Sequence, residues 1–260
     1  MSEYASFKDL DLDLPFVRGD GRAFDALRPV RMTLDYIPSA LGSVLIECGR
    51  TRVICVASVE DRLPRWMMQE RERTGWVTAE YSLLPYAGGG RKMREATAGK
   101  LSGRTQEIQR LIGRALRGVV DLKGLGERTV WIDCDVIEAD GGTRTASVTG
   151  GFVALSAALQ RLVRKKVLKT VPLIRRVAAV SVGIVENYPV LDLNYEEDFA
   201  AQTDFNIVMT DTGEFVEVQG TAEEAPYTRA QLDAMLELGA KGCRELLACQ
   251  QEVLETLEEN

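Results

Sequence analysis

The 260-residue chain is 45% hydrophobic and 27% charged, which excludes a disordered or low-complexity polymer and leaves one large or two small globular domains. Lysine and arginine number 32 against 39 acidic residues, a net charge of −7, and there is no histidine, so His-based triads and His-ligated zinc are excluded. Five cysteines, an odd count with no C-x-x-C pair, lie mostly in apolar stretches and read as buried reduced thiols rather than disulfides or zinc ligands.

Residues 1–17 read as an acidic N-terminal extension, in which Asp9, Asp11 and Asp13 alternate with leucines as no secretory signal or transit peptide would. The expected location is therefore the cytoplasm. Residues 18–260 read as one compact domain. Apolar, β-branched segments at Val30–Leu34, Ser43–Glu47, Arg52–Ser58 and Trp76–Tyr81, punctuated by glycines, suggest a strand meander. Pro85–Gly90 is a loop, and after it Ile108, Leu111, Ile112, Ala115, Leu116 and Val119 recur at helical spacing. Thr129–Ile137 alternates as a strand, with Asp133 and Asp135 on the face opposite Cys134. Thr145–Val163 reads as a buried helix; its uncharged run is too short and too polar to span a bilayer, so no membrane partner is expected. Val177–Val185 is a strand buried on both faces, followed by Val190–Leu193 as its hairpin partner and a second hairpin, Asn206–Met209 with Phe215–Val218. An amphipathic helix over about Thr228–Leu257 closes an α+β chain.

Charge is unevenly spread. Gly88–Arg128 holds ten basic residues against four acidic, whereas Thr221–Asn260 holds three against nine. A global acidic balance thus conceals a local basic surface on which a polyanion can dock.

Four constellations can carry chemistry. In Asp140-Gly-Gly-Thr-Arg-Thr-Ala-Ser147 two glycines precede a helix start, where free N–H groups, the helix dipole and the Arg144 fork favour a bare phosphate. The pattern is neither a Walker loop nor a dinucleotide fingerprint. Arg104 follows Gly103 at a second helix start. Asp198 and Asp204, six apart between two strands, can meet as paired carboxylates, suited either to Mg²⁺ or Mn²⁺ or to proton donation. Finally, Arg65, Arg71, Arg73, Arg91 and Arg94 interleave with Trp66, Trp76, Tyr81 and Tyr86, a composition used by single-stranded nucleic-acid channels.

Taken together, Asp20-Gly-Arg22, Leu27-Arg-Pro29, Gly75–Tyr81, Gly103–Arg110, Ile132–Val136, Asp140–Ser147, Val177–Ile184 and Glu217–Glu223 resemble the ribonuclease PH family in order and spacing. The resemblance implies a ribosomal protein S5 domain 2-like βαβ fold and a homohexamer built as a trimer of dimers. It implies phosphorolysis: inorganic phosphate attacks the terminal phosphodiester of RNA, usually the 3′ end of precursor tRNA, and releases a nucleoside 5′-diphosphate. Position by position, Arg104, Gly142, Thr143 and Arg144 match the family's phosphate site. Asp198 and Asp204 match its acidic pair, which binds Mg²⁺ or Mn²⁺ and in which Asp204 is the general acid. The family loop before the Arg-Glu-Ala segment usually carries an arginine and Thr-His-Thr; here it reads Tyr86-Ala-Gly-Gly-Gly90, and only Arg91 and Arg94 match as RNA contacts. An inactive RNA-binding ring subunit of exosome type is the alternative that the same motifs leave open, and a hydrolytic metal nuclease would need a denser carboxylate cluster.

Overall fold

The computed structural model describes residues 17–70, 73–223 and 226–258; Arg71 and residues 1–16 of the acidic extension lie outside them. Two sheets share one long central helix. The first sheet has the order β1-β2-β3-β5-β4, from β1 (Val30–Leu34), β2 (Gly42–Cys48), β3 (Thr51–Glu60), β4 (Trp76–Leu83) and β5 (Thr129–Glu138). Alternation writes its inner face: Val44, Ile46, Val53, Cys55, Val130, Ile132, Cys134 and Val136 are all buried, and Arg52 and Asp135 point the other way.

The meander expected from the sequence holds for β1 to β3 and fails at β4. That strand pairs in parallel with β5, which lies between it and β3. A parallel neighbour needs a long crossover, and the chain supplies one through a short turn, α1 (Glu95–Ala98), then α2 (Gly103–Arg117) and α3 (Leu122–Leu125). Period-two patterning identifies a strand but not the strand beside it. The amphipathic α2 buries Ile108, Leu111, Ile112, Ala115 and Leu116 against β4 and the central helix, as its spacing requires.

The central helix, α4 (Thr143–Arg164), packs against β2, β3 and β5 on one side and β6 on another. An 18-residue stretch of this 22-residue helix has a mean hydropathy of 1.3, long and apolar enough for a membrane span, but 83% of that stretch is buried within the protein, so it is a core helix. Gly150 allows the close approach: a Cβ there would lie 2.7 Å from Ile46 Cγ2.

The second sheet, in order β7-β6-β8-β9, comprises β6 (Val177–Val185), β7 (Tyr188–Leu191), β8 (Thr203–Thr210) and β9 (Phe215–Ala222), with α5 (Tyr195–Ala200) between β7 and β8. Every residue of β6 is buried. Val177 and Ala179 join the core around α4, whereas Ala178, Val180, Val182 and Ile184 join a second core with Met235, Leu238 and Cys243 of α6 (Arg229–Glu258). All five cysteines are free thiols; Cys55 and Cys134 face each other across β3 and β5 with their sulfurs 3.8 Å apart. Burial pushes the Cys48 and Cys243 thiols up to about 12.

Candidate active site

The two helix starts singled out in the sequence open onto the same space. A cavity of about 270 Å³ is lined by Arg104, Gly142, Thr143, Arg144, Asp198 and Asp204, together with Tyr81, Lys92, Ser181 and Asn206. Six helices and strands, with the loop that follows β4, deliver these groups.

Arg104 stands in the first turn of α2. Ser102 caps that helix, its hydroxyl accepting from the Thr105 amide at 3.1 Å, and Glu95 accepts from the Thr105 hydroxyl at 2.8 Å. Arg144 stands in the first turn of α4, after Gly141 (φ +77°) and Gly142 (φ +66°). The tandem left-handed backbone is what glycine permits, and a Cβ on Gly141 would also strike the Leu193 carbonyl. No side chain caps α4, and its first residues, Thr143 and Arg144, line the cavity, where uncapped helix amides favour an anion.

The Arg144 fork is held from behind. Its Nη1 donates to Gln219 Oε1 of β9 at 3.0 Å and lies 3.6 Å from Glu107 of α2, and Gln219 Nε2 donates to Glu107 at 3.0 Å. On the other wall, the Tyr81 and Thr143 hydroxyls share a hydrogen bond of 2.7 Å. Burial raises the Tyr81 phenol, while the charges of Arg104 and Arg144 pull it down, so both guanidiniums bear on this corner of the cavity.

Asp204 is the second residue of β8, opposite Gly183 of β6 and Thr221 of β9. Asp198 lies on α5, which Asn194 and Glu197 start with a capping box. The Asp198 residue keeps contact with solvent, yet crowding by the cavity walls raises its carboxyl, and the charge of Asp204 adds to the rise. Arg104, Arg144 and Arg28 act in the opposite sense on the same carboxyl. One carboxylate therefore feels the second carboxylate and both helix-tip arginines at once.

Arg94 lines a larger cavity of about 780 Å³ that adjoins the first through Tyr81, Leu83, Gly88, Lys92 and Arg104, and Arg91 lines neither. Of the described members of the basic–aromatic set, only Tyr81 and Arg94 line the larger cavity. Trp76 is covered edge-on by Trp66, with centroids 5.0 Å apart, and the Arg117 guanidinium sits 4.3 Å from its ring. Sequence reasoning missed Lys92 as a wall of both cavities, a residue its place beside Arg91 and Arg94 in the basic stretch could have raised. It also missed the polar anchors Arg18, Arg28, Asp192 and Glu197.

Comparison with known proteins places the chain in a class. Residues 26–159 match the model of 3′ exoribonuclease family domain 1 and residues 176–242 that of domain 2. Curated proteins named ribonuclease PH are similar over more than nine-tenths of the chain: one from Bacillus velezensis is 57% identical, covering 94% of this chain and 99% of that one. One from Bacillus subtilis is 56% identical over 92% of this chain and 97% of its own. The fold is similar to an Archaeoglobus fulgidus exosome solved with RNA bound to the active site (TM-score 0.76, 23% identical, covering 89% of this chain and 92% of that one). The chain belongs to the 3′ exoribonuclease family, and within it to the ribonuclease PH branch. Its fold is the S5 domain 2-like α+β fold that the motifs imply. Its activity is phosphate-dependent 3′→5′ removal of nucleotides from RNA, that of a tRNA nucleotidyltransferase.

Proposed function

We propose that this enzyme trims the 3′ end of precursor tRNA, with Arg104, Gly142, Thr143 and Arg144 holding the attacking phosphate and Asp198 and Asp204 serving the leaving side. The observation that carries this reading is the single cavity lined by all six residues.

The chemistry suits a chain without histidine, because phosphate itself is the nucleophile and no protein nucleophile is needed. The obstacle is electrostatic. Two unit charges 4 Å apart repel by about 4 kcal/mol at an effective dielectric near 20, and phosphate carries nearly two charges. Each charge-assisted hydrogen bond returns about 1.5–3 kcal/mol, so two guanidiniums and the first amides of α4 are of the right scale to hold the two anions together. Phosphate then attacks the terminal phosphorus, the 3′-oxygen of the penultimate nucleotide leaves, and Asp204 gives that oxygen a proton. Because one phosphate linkage is exchanged for another, the reaction is reversible when nucleoside diphosphate is abundant.

A divalent cation fits the acidic pair. Among the described residues no cluster of three or more carboxylates, thiols or imidazoles could build an all-protein cage. Mg²⁺ is satisfied by one or two carboxylates with water and substrate phosphate oxygens completing its shell, which Asp198 would offer while Asp204 holds its proton and both would offer once that proton has left. Bound there, Mg²⁺ or Mn²⁺ would neutralise charge developing on the phosphoryl group.

Arg91 and Arg94 are assigned to the approaching RNA strand, in a homohexamer built as a trimer of dimers and working in the cytoplasm. Residues 18–260 form the catalytic unit of this reading and residues 1–17 an appended acidic extension. Light scattering tests the assembly. The reaction is tested by titrating phosphate in a 3′-trimming assay on a tRNA precursor and identifying the product. Nucleoside diphosphate whose yield follows phosphate supports it; nucleoside monophosphate formed without phosphate overturns it.

A further inference from the structure

Two buried arginines, Arg18 and Arg28, lie behind the cavity, and neither lines it. Arg28 binds Asp192 through its backbone amide (2.7 Å), Nε (3.0 Å) and Nη2 (2.7 Å). With the same guanidinium it donates to the Asp140 carbonyl, and at 3.4 Å to the Gly141 carbonyl. Arg28 therefore touches both the glycine turn that starts α4 and the residue from which the chain turns toward α5. Arg18, whose side chain is wholly buried, binds Glu197 with Nε at 2.7 Å and Nη2 at 2.6 Å, and donates to the carbonyls of Leu191 and Asp192. Glu197 precedes Asp198 and closes the capping box of α5. From the opposite side, the Thr51 hydroxyl of β3 donates to the Gly141 carbonyl at 2.7 Å and accepts from the Asp140 amide at 2.9 Å.

Burying this much charge is unfavourable unless every group is paired, and here each guanidinium is matched by a carboxylate and by backbone carbonyls. Such a network has one low-energy geometry. A planar fork that engages a carboxylate and two carbonyls at once fixes their relative positions as an ammonium cannot.

We propose that the segment from Arg18 to Arg28 is a clasp that sets the spacing between the phosphate-binding turn and the acidic pair, with Arg28 its central positioning residue. The inference rests on the phosphate-site reading above. Neither arginine contacts substrate. They act through Gly141–Gly142 on one side and through Glu197 on the other.

The test separates the two sides in steady-state phosphorolysis of an RNA oligomer. Arg28→Lys keeps the charge and loses the fork; Thr51→Val keeps the shape and loses only the two bonds to the turn. Each is expected to raise KM for phosphate by about tenfold or more, with KM for RNA within about twofold of the parent. Glu197→Gln, which loosens α5 alone, is expected to lower kcat at an unchanged phosphate KM. Folding is checked by circular dichroism and thermal unfolding, and Thr51→Val serves if Arg28→Lys does not fold. A folded Arg28→Lys or Thr51→Val with the parent phosphate KM overturns the clasp, as does a folded Glu197→Gln with the parent kcat. Arg144→Ala is run alongside: if it raises phosphate KM and the clasp variants do not, only the clasp falls; if it also leaves KM unchanged, the phosphate-site reading falls with it.

Discussion

Arg144→Ala is the sharpest perturbation of the anion cage. The Arg144 side chain is 15% exposed and held against Gln219 and Glu107, so its fork is pre-aimed and little rotamer freedom is lost when phosphate binds. Two charge-assisted hydrogen bonds to phosphate, at about 1.5–3 kcal/mol each, amount to about 3–6 kcal/mol. At about 1.4 kcal/mol per tenfold, kcat/KM for phosphate should fall by about 10²–10⁴. The substitution also leaves Glu107 without its cation beside an incoming anion, which pushes the loss toward the upper end. Stability should change little, because Glu107 is partly solvated and such ion pairs contribute about 1 kcal/mol or less. The assay is initial-rate phosphorolysis of a 3′-labelled RNA over a phosphate series, with RNA affinity measured separately without phosphate. A folded variant within about threefold of the parent in kcat/KM for phosphate would refute the assignment.

Other consequences are independent of that cage. Asp204→Asn and Asp198→Asn should each lower kcat by about 10²–10⁴ while RNA affinity measured by fluorescence anisotropy stays near the parent value; retained turnover would remove that residue from the leaving side. Gly150→Ala places a methyl against Ile46 and Cys55 in a packed core and should cost about 1–3 kcal/mol in urea unfolding; an unchanged midpoint would mean that α4 is less tightly seated than described. In native protein a thiol reagent at neutral pH should react first at the partly exposed Cys249, although burial raises that thiol too, and far more slowly at the four buried cysteines, of which Cys48 and Cys243 are lifted to about 12; all five should react after denaturation, and rapid native reaction at several thiols would contradict this.

Residue patterns carry much of this architecture in plain view. Val30–Leu34 and Val177–Val185 match their strands end to end, and in the second the continuous apolar character reports the burial of every residue. The spacing of Ile108, Leu111, Ile112 and Leu116 likewise gives the buried face of α2. What the pattern does not carry is adjacency. The insertion of β5 between β3 and β4 depends on how a crossover packs, not on the residues of β4 alone. In the site, Gly141-Gly142 and the two arginines are legible because glycine before a helix start has a local physical meaning. The clasp is not. Arg28 meets Asp192 164 positions along the chain, and a buried charged pair has no periodicity to betray it. Tyr81 was visible as an aromatic among basic residues, but its hydroxyl contact with Thr143, 62 positions away, was not.

The central claim is that one inorganic phosphate sits between the tips of α2 and α4, beside the acidic pair. Crystallising the protein with phosphate and an RNA 3′ end blocked against cleavage measures this directly. The account predicts a single tetrahedral anion bonded to Arg104, Arg144 and the amides of Thr143 and Arg144, with the terminal phosphodiester facing Asp198 and Asp204. Phosphate bound elsewhere, with Arg104 and Arg144 turned away from the RNA terminus, would contradict it.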